Sequence, residues 1–314
     1  MISRRQLRIK AFQSVYSFYK NRGRSIQNVE KELLFSVEKF YDLYFYLMLL
    51  AIDVRDYNQK IIDKRLVKIQ ATSEDLNPNL TLINNIIIKT IEDDINFKNR
   101  IEEIKISWNK YPALIKKTYE ELIETDYFIE YMSAKKNTFE GDKEFMIYFF
   151  TAFLYNFEEL FDTLEEQSIY WNGDIDFVMN SLGQIIKDIQ KDKPETFVIP
   201  VVFKKNDDKE FLLDLFKKTL LNTKEYTAII EECVPRWDVE RISDTDRAIL
   251  MLGICELTEF SSIPINVTFN EYIELGKLFG STKSGSFING VLEIIAEKLK
   301  SENKINKIGR GLIE

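Results

Sequence analysis

Residues 242–257 read Ile242-Ser243-Asp244-Thr245-Asp246-Arg247-Ala248-Ile249-Leu250-Met251-Leu252-Gly253-Ile254-Cys255-Glu256-Leu257. Ser243 or Asp244 can cap a helix here, and Asp246 in its first turn suits the positive end of the helix dipole. Ile249, Leu252, Leu257 and Phe260 supply its apolar positions. Pro264 sets the next connection. Asn270, Glu271, Glu274 and Lys277 then mark the polar side of a second helix. Gly280 ends that helix, and Ser284 is expected to cap a third. Asn289-Gly290 is a hairpin signal in isolation. It lies, however, among Phe287, Ile288, Val291, Leu292, Ile294 and Ile295, which recur at helical spacing. Gly290 inside a helix implies close packing of a neighbour, at about 1 kcal/mol of helix propensity.

Helical texture continues upstream. Leu7, Ala11, Val15 and Phe18 make one face of an amphipathic helix over 4–20, and Gly23 ends it. Residues 28–70 read as one long helix or two in succession, with Asn28 as a cap. Asn77-Pro78-Asn79 breaks the pattern. Helical spacing resumes over 80–135, with a start at Pro112. Asn137 to Asp142 reads as a loop. Residues 143–166 are rich in aromatics, taken as core. A turn at 171–174 precedes a helix to about Gln190. Residues 194–208 read as an extended connector, and a helical pattern runs from Phe211 to Cys233 with Pro235 beyond it. The residues after Lys300 read as a frayed tail. Only 11 Gly and 6 Pro are present in 314 residues, too few for a many-turned β-sandwich.

Chemistry is sparse. The chain has no histidine, which removes the commonest general base and metal ligand. Its two cysteines, Cys233 and Cys255, have no zinc spacing; one disulfide is arithmetically possible, and two buried thiols of a reducing compartment are the favoured reading. Adjacent acidic pairs such as Glu120-Glu121 do not face each other on a helix. Gly280 to Gly285 has the glycine spacing of a phosphate loop, but Ser286 stands where the lysine belongs. Neither enzymatic activity nor a cofactor or metal is expected. The N-terminus lacks a signal-peptide core. The apolar run Tyr44 to Ile52 is too short to span a membrane, so a cytoplasmic protein is expected.

Charge is uneven. Net charge is -8, yet residues 1–24 hold Arg4, Arg5, Arg8, Lys10, Lys20, Arg22 and Arg24 and no acid. A basic segment on an acidic body suits a polyanion, or serves only as a solvated tag.

Taken together, Asp246 to Leu250, Glu256-Leu257, Ile263-Pro264, Asn270 to Lys277 and Ser284 to Leu292 resemble the NusB family of transcription antitermination factors. Arg4, Arg5 and Arg8, followed by Gln13 and Tyr16, resemble that family's arginine-rich first helix. The resemblance implies an all-α fold, a NusB-like helical bundle with an additional helical central region. Residues 1–23 would form the first helix, 24–206 a helical insertion of unknown role, 207–300 the rest of the core and 301–314 a tail. It implies binding of boxA-type single-stranded RNA together with NusE, a small-subunit ribosomal protein, in the transcription elongation complex. Arg4, Arg5, Arg8, Lys10, Tyr16, Lys283, Ser284 and Phe287 are the implied RNA contacts. Lys283 stands where the family often has an acid, Cys255 where it often has Tyr, and Gly276 where it often has Ala. Homo-oligomerisation stays open. Two rival readings are a non-enzymatic protein-interaction scaffold and an RNA-targeting module of the kind carried by RNA cytosine methyltransferases.

Overall fold

The apolar spacing of 4–20 becomes a helix whose start is set by Ser3, which caps it by accepting from the Gln6 amide. The computed structural model describes residues 3–21, 23–134, 138–199, 201–203, 206–234 and 242–312. In chain order its helices are α1 (Arg4–Lys20), α2 (Ile26–Leu66), α3 (Ser73–Leu76), α4 (Ile86–Asp93) and α5 (Ile95–Ile104). They continue as α6 (Pro112–Ile123), α7 (Asp126–Ser133), α8 (Phe139–Tyr148), α9 (Glu158–Gln167) and α10 (Ile175–Asp188). The last five are α11 (Asn206–Leu221), α12 (Thr223–Cys233), α13 (Asp244–Glu259), α14 (Ile265–Phe279) and α15 (Ser284–Ser301). The protein is all-α. Among the described residues no helix is long and apolar enough to cross a membrane. The backbone divides into two units, residues 1–37 with 201–314, and residues 38–200.

In the first unit α1 packs on α11 and α13, while α13, α14 and α15 pack on one another. Leu7, Ala11 and Val15 are buried as their spacing predicts. Ser243 caps α13, accepting from the Asp246 amide at 3.0 Å. Cys255 and Cys233 are free thiols, Cys255 fully buried and Cys233 only partly. Burial pushes the Cys255 thiol up to about 12.

Several local expectations are corrected. Asn28 lies inside α2, and its amide donates to Ser25 Oγ at 3.2 Å, so Ser25 does the capping. The helical pattern over 211–233 is two helices, α11 and α12, divided at Asn222; Pro235 lies outside the described residues. Ser284 does not cap α15. It is the first helical residue, and its Oγ accepts from the Ser281 amide at 2.9 Å, tightening the turn before it. Among the described residues a Cβ on Gly290 would meet nothing within 4 Å, so none of them is the expected close neighbour. The tail is docked rather than frayed: Ile308 donates its amide to Ser261 O at 3.0 Å. Lys307 Nζ donates to the carbonyls of Glu256 and Phe260 at 3.2 and 3.0 Å.

The second unit is built on the apolar middle of α2. Tyr46 stacks between Trp108 and Trp171, with ring centroids 3.9 and 5.4 Å away. Both indoles donate to α2 carbonyls, Trp108 to Tyr46 and Trp171 to Lys39. The segment read as a loop through Asp142 begins α8 at Phe139, because Thr138 accepts from the Gly141 amide; Asn137 lies outside the described residues. Asp142 is buried and takes bonds from the Ile86 amide and the Tyr131 hydroxyl, both at 2.8 Å. Phe145, Phe149, Phe150, Phe153 and Phe157 are core, as their spacing predicts; Tyr155 is exposed.

Candidate nucleic-acid interface

The first turn of α1 carries Arg4 and Arg5 and no acid. Positive charge at a helix N-terminus is unfavourable against the dipole, so anions are attracted there. Two acids of this chain answer that charge. Arg4 Nε lies 3.4 Å from Asp208 Oδ1, at the start of α11. Arg5 makes a two-pronged bond to Glu271 of α14, at 3.1 and 3.2 Å. The arginine side chains stay 44% and 50% exposed.

Arg8 was expected on the RNA-facing surface, and the structure corrects this. It is 3% exposed, and its Nε and Nη2 donate to both carboxylate oxygens of Glu256 at 2.7 and 2.9 Å. Glu256 also accepts from Thr268 Oγ1 at 2.9 Å and the Tyr272 hydroxyl at 3.3 Å. Phe211 of α11 packs against both Arg4 and Arg8: its ring centroid is 4.9 Å from the first guanidinium carbon and 5.2 Å from the second. Lys10 is likewise buried, at 2% exposed.

Tyr16 sits three turns on, about 18 Å along the helix from Arg4. It is half-buried, 6.0 Å from Phe12, with the Lys20 ammonium 5.7 Å over its face. Phe12 in turn meets Phe279 at the end of α14, at 4.9 Å. Lys20 also pairs with Asp244 at the start of α13. Arg22 lies outside the described residues.

Lys283, Ser284 and Phe287 come together in a groove of about 530 Å³. Ile242, Val291 and Ile294 give it an apolar wall, and Gly290 leaves it open. Lys283 is exposed at the rim, Phe287 is half-buried and Ser284 is buried. Asp246 borders the groove, and its buried Oδ1 has no hydrogen-bond partner among the described residues. An apolar, open floor with an aromatic ring and a cation at its edge suits a flat base carrying a phosphate. Among the described residues no group of acidic or cysteine side chains is arranged to hold a metal ion.

Sequence reasoning missed Asp208 and Phe211 in this region, and took Asp246 only as a helix-start and motif residue. Asp208 and Phe211 reach α1 from about two hundred residues away, and no local signal links them. Glu271 belonged to a recognised motif, but only as part of a polar face.

The NusB family model matches residues 177–297. The transcription antitermination protein NusB of Bacillus mycoides is 39% identical over 107 residues, which cover 34% of this chain and 82% of the relative. The chain belongs to the NusB family. The protein of the same name from Halalkalibacterium halodurans is 42% identical over 94 residues, 30% of this chain and 70% of its own. That of Salinibacter ruber is 37% identical over 105 residues, 33% of this chain and 66% of its own length, so the chain spans just under two-thirds of that relative. A solved NusB structure from T. maritima aligns with 51% of this chain and 94% of its own, at 24% identity and a TM-score of 0.29. The family match opens within α10 and closes within α15. It therefore holds α11, which carries Asp208, α13, α14 and the groove residues. Arg4, Arg5 and Tyr16 lie outside it, on a helix packed against α11 and α13.

Proposed function

We propose that the chain is a transcription antitermination factor that binds boxA-type single-stranded RNA together with NusE in the transcription elongation complex. Family membership carries this reading, since the matched relatives bear the name transcription antitermination protein NusB. The geometry supports it at two places. Arg4 and Arg5 present half-exposed guanidinium groups at a helix N-terminus, suited to phosphates. The groove beside Lys283 and Phe287 suits an unstacked base. Arg8 and Ser284 act here from beneath, by holding α1 and the turn before α15 in place, and Lys10 is buried with them. The reading is one of binding rather than catalysis, in the cytoplasm, with RNA and NusE reinforcing each other's affinity.

The test is an anisotropy titration of labelled boxA RNA against the whole chain, with and without NusE, beside a scrambled RNA. The expected result is salt-sensitive binding that NusE tightens and scrambling weakens. Equal affinity for both RNAs, unmoved by NusE, overturns the assignment.

A further inference from the structure

We propose that Asp208 and Glu271 are exchangeable partners of Arg4 and Arg5, holding the two arginines until RNA phosphates replace them. The inference rests on the RNA-binding reading and adds two residues that set its affinity. Neither acid is stranded when its arginine leaves. Asp208 stands in the first turn of α11, where the helix N-terminus compensates a carboxylate. Glu271 Oε2 also lies 3.9 Å from Arg8 Nη1, and Arg8 is itself fixed by Glu256. Glu256 is fully buried, and although Thr268 and Tyr272 also donate to it, losing Arg8 would leave its charge in the core without its paired guanidinium. The fold thus sorts the three first-helix arginines into two that can swing to a ligand and one that cannot.

The release is cheap because the arginine of each pair is half in water, while its acid, 17% or 18% exposed, keeps the compensation just described. An exposed ion pair is worth at most about a five-fold factor in an equilibrium. A ligand with a single negative charge regains one such pair for one lost. A polyanion gains more: it engages Arg4 and Arg5 together and releases its own condensed counterions. The two acids therefore hold down affinity for small anions and leave a preference for a phosphate chain.

The experiment compares the whole chain with Asp208→Asn, Glu271→Gln and the double variant, titrating labelled boxA RNA between about 50 and 200 mM salt. Affinity is expected to rise about two- to five-fold in each single variant and up to about 20-fold in the double one. The same acid changes in an Arg4→Ala/Arg5→Ala background are expected to give no rise. Glu297→Gln removes one negative charge elsewhere and serves as the control. Binding by the parent with no rise in the variants, or a rise matched by the control or kept without the arginines, overturns this inference alone. Absence of RNA binding by every form overturns it together with the functional reading. Asp208 does not touch the Arg8–Glu256 pair, so Asp208→Asn decides the matter should Glu271→Gln fail to fold.

Discussion

Arg8 and Glu256, 248 residues apart in sequence, form a two-pronged ion pair at 2.7 and 2.9 Å with both side chains shut away from solvent. It ties α1 to α13, and Thr268 and Tyr272 tie the same carboxylate to α14. Removing one partner of a buried pair costs about 3–5 kcal/mol, because the other charge is left uncompensated. Arg8→Ala is expected to lower the urea midpoint of the first unit by a corresponding amount. Arg8→Met with Glu256→Gln is expected to recover part of it, since no charge then remains. An unchanged midpoint for Arg8→Ala, with weakened RNA binding, would return Arg8 to the ligand surface.

Phe287 lines the open groove with one flank still reachable. Stacking of one base on an aromatic ring is worth about 1–3 kcal/mol. Phe287→Ala is expected to weaken boxA RNA by about ten-fold or more, while thermal stability falls modestly. Circular dichroism melts beside the RNA titration separate the two effects. A variant that melts much earlier yet binds RNA as the parent does would make Phe287 a core residue only.

The docked tail depends on one glycine. A Cβ on Gly311 would lie 2.0 Å from the carbonyl oxygen of Ser261, a backbone atom that cannot step aside. Gly311→Ala is expected to lift residues 303–312 from the α13–α14 junction and expose them to protease. The Lys307 ammonium, which burial pulls down to about 8, would return toward its ordinary value. Limited proteolysis with mass spectrometry reads the first outcome; a cleavage pattern like the parent's would contradict it.

Asp53 of α2 supplies a pH signature in the second unit. Burial, with Asp56 adding to it, raises its carboxyl from 3.8 to about 6. The folded state therefore holds the proton more tightly than the unfolded one. This contribution to stability is full below about pH 4, is lost as pH climbs from about 4 to 6, and stays lost above. Asp53→Asn is expected to stabilise the protein by about 1–2 kcal/mol at pH 7.5, after allowance for partial exposure, and by little at pH 4.5. Melting curves at the two pH values check this; a gain of equal size at both would refute the titration.

Helices were legible wherever one apolar stripe repeats at helical spacing, as with Leu7, Ala11 and Val15 in α1. The all-helical class and the order of α13, α14 and α15 followed from the same periodicity and from the motifs along it. Errors fell at junctions. Ser284 and Thr138 are set by which backbone amide reaches them, Ser281 and Gly141, and Asn222 interrupts a helical pattern without a side-chain cap of its own. Helical spacing makes Gly290 a packing site, whereas among the described residues it borders an opening, because the same missing Cβ serves either purpose.

By itself the sequence determined a helical chain with a basic first helix and a NusB-like C-terminal third. Both properties are local: a 3.6-residue repeat and an ordered run of residue types require no knowledge of distant partners. Only the tertiary structure decided that Arg4 and Arg5 remain accessible while Arg8 does not. The three arginines share one short stretch of helix and one chemistry. What separates them is the partner each meets from far along the chain: Arg8 pairs with the buried Glu256, while Arg4 and Arg5 pair with Asp208 and Glu271 and stay half-exposed, and charge compensation depends on that approach rather than on spacing.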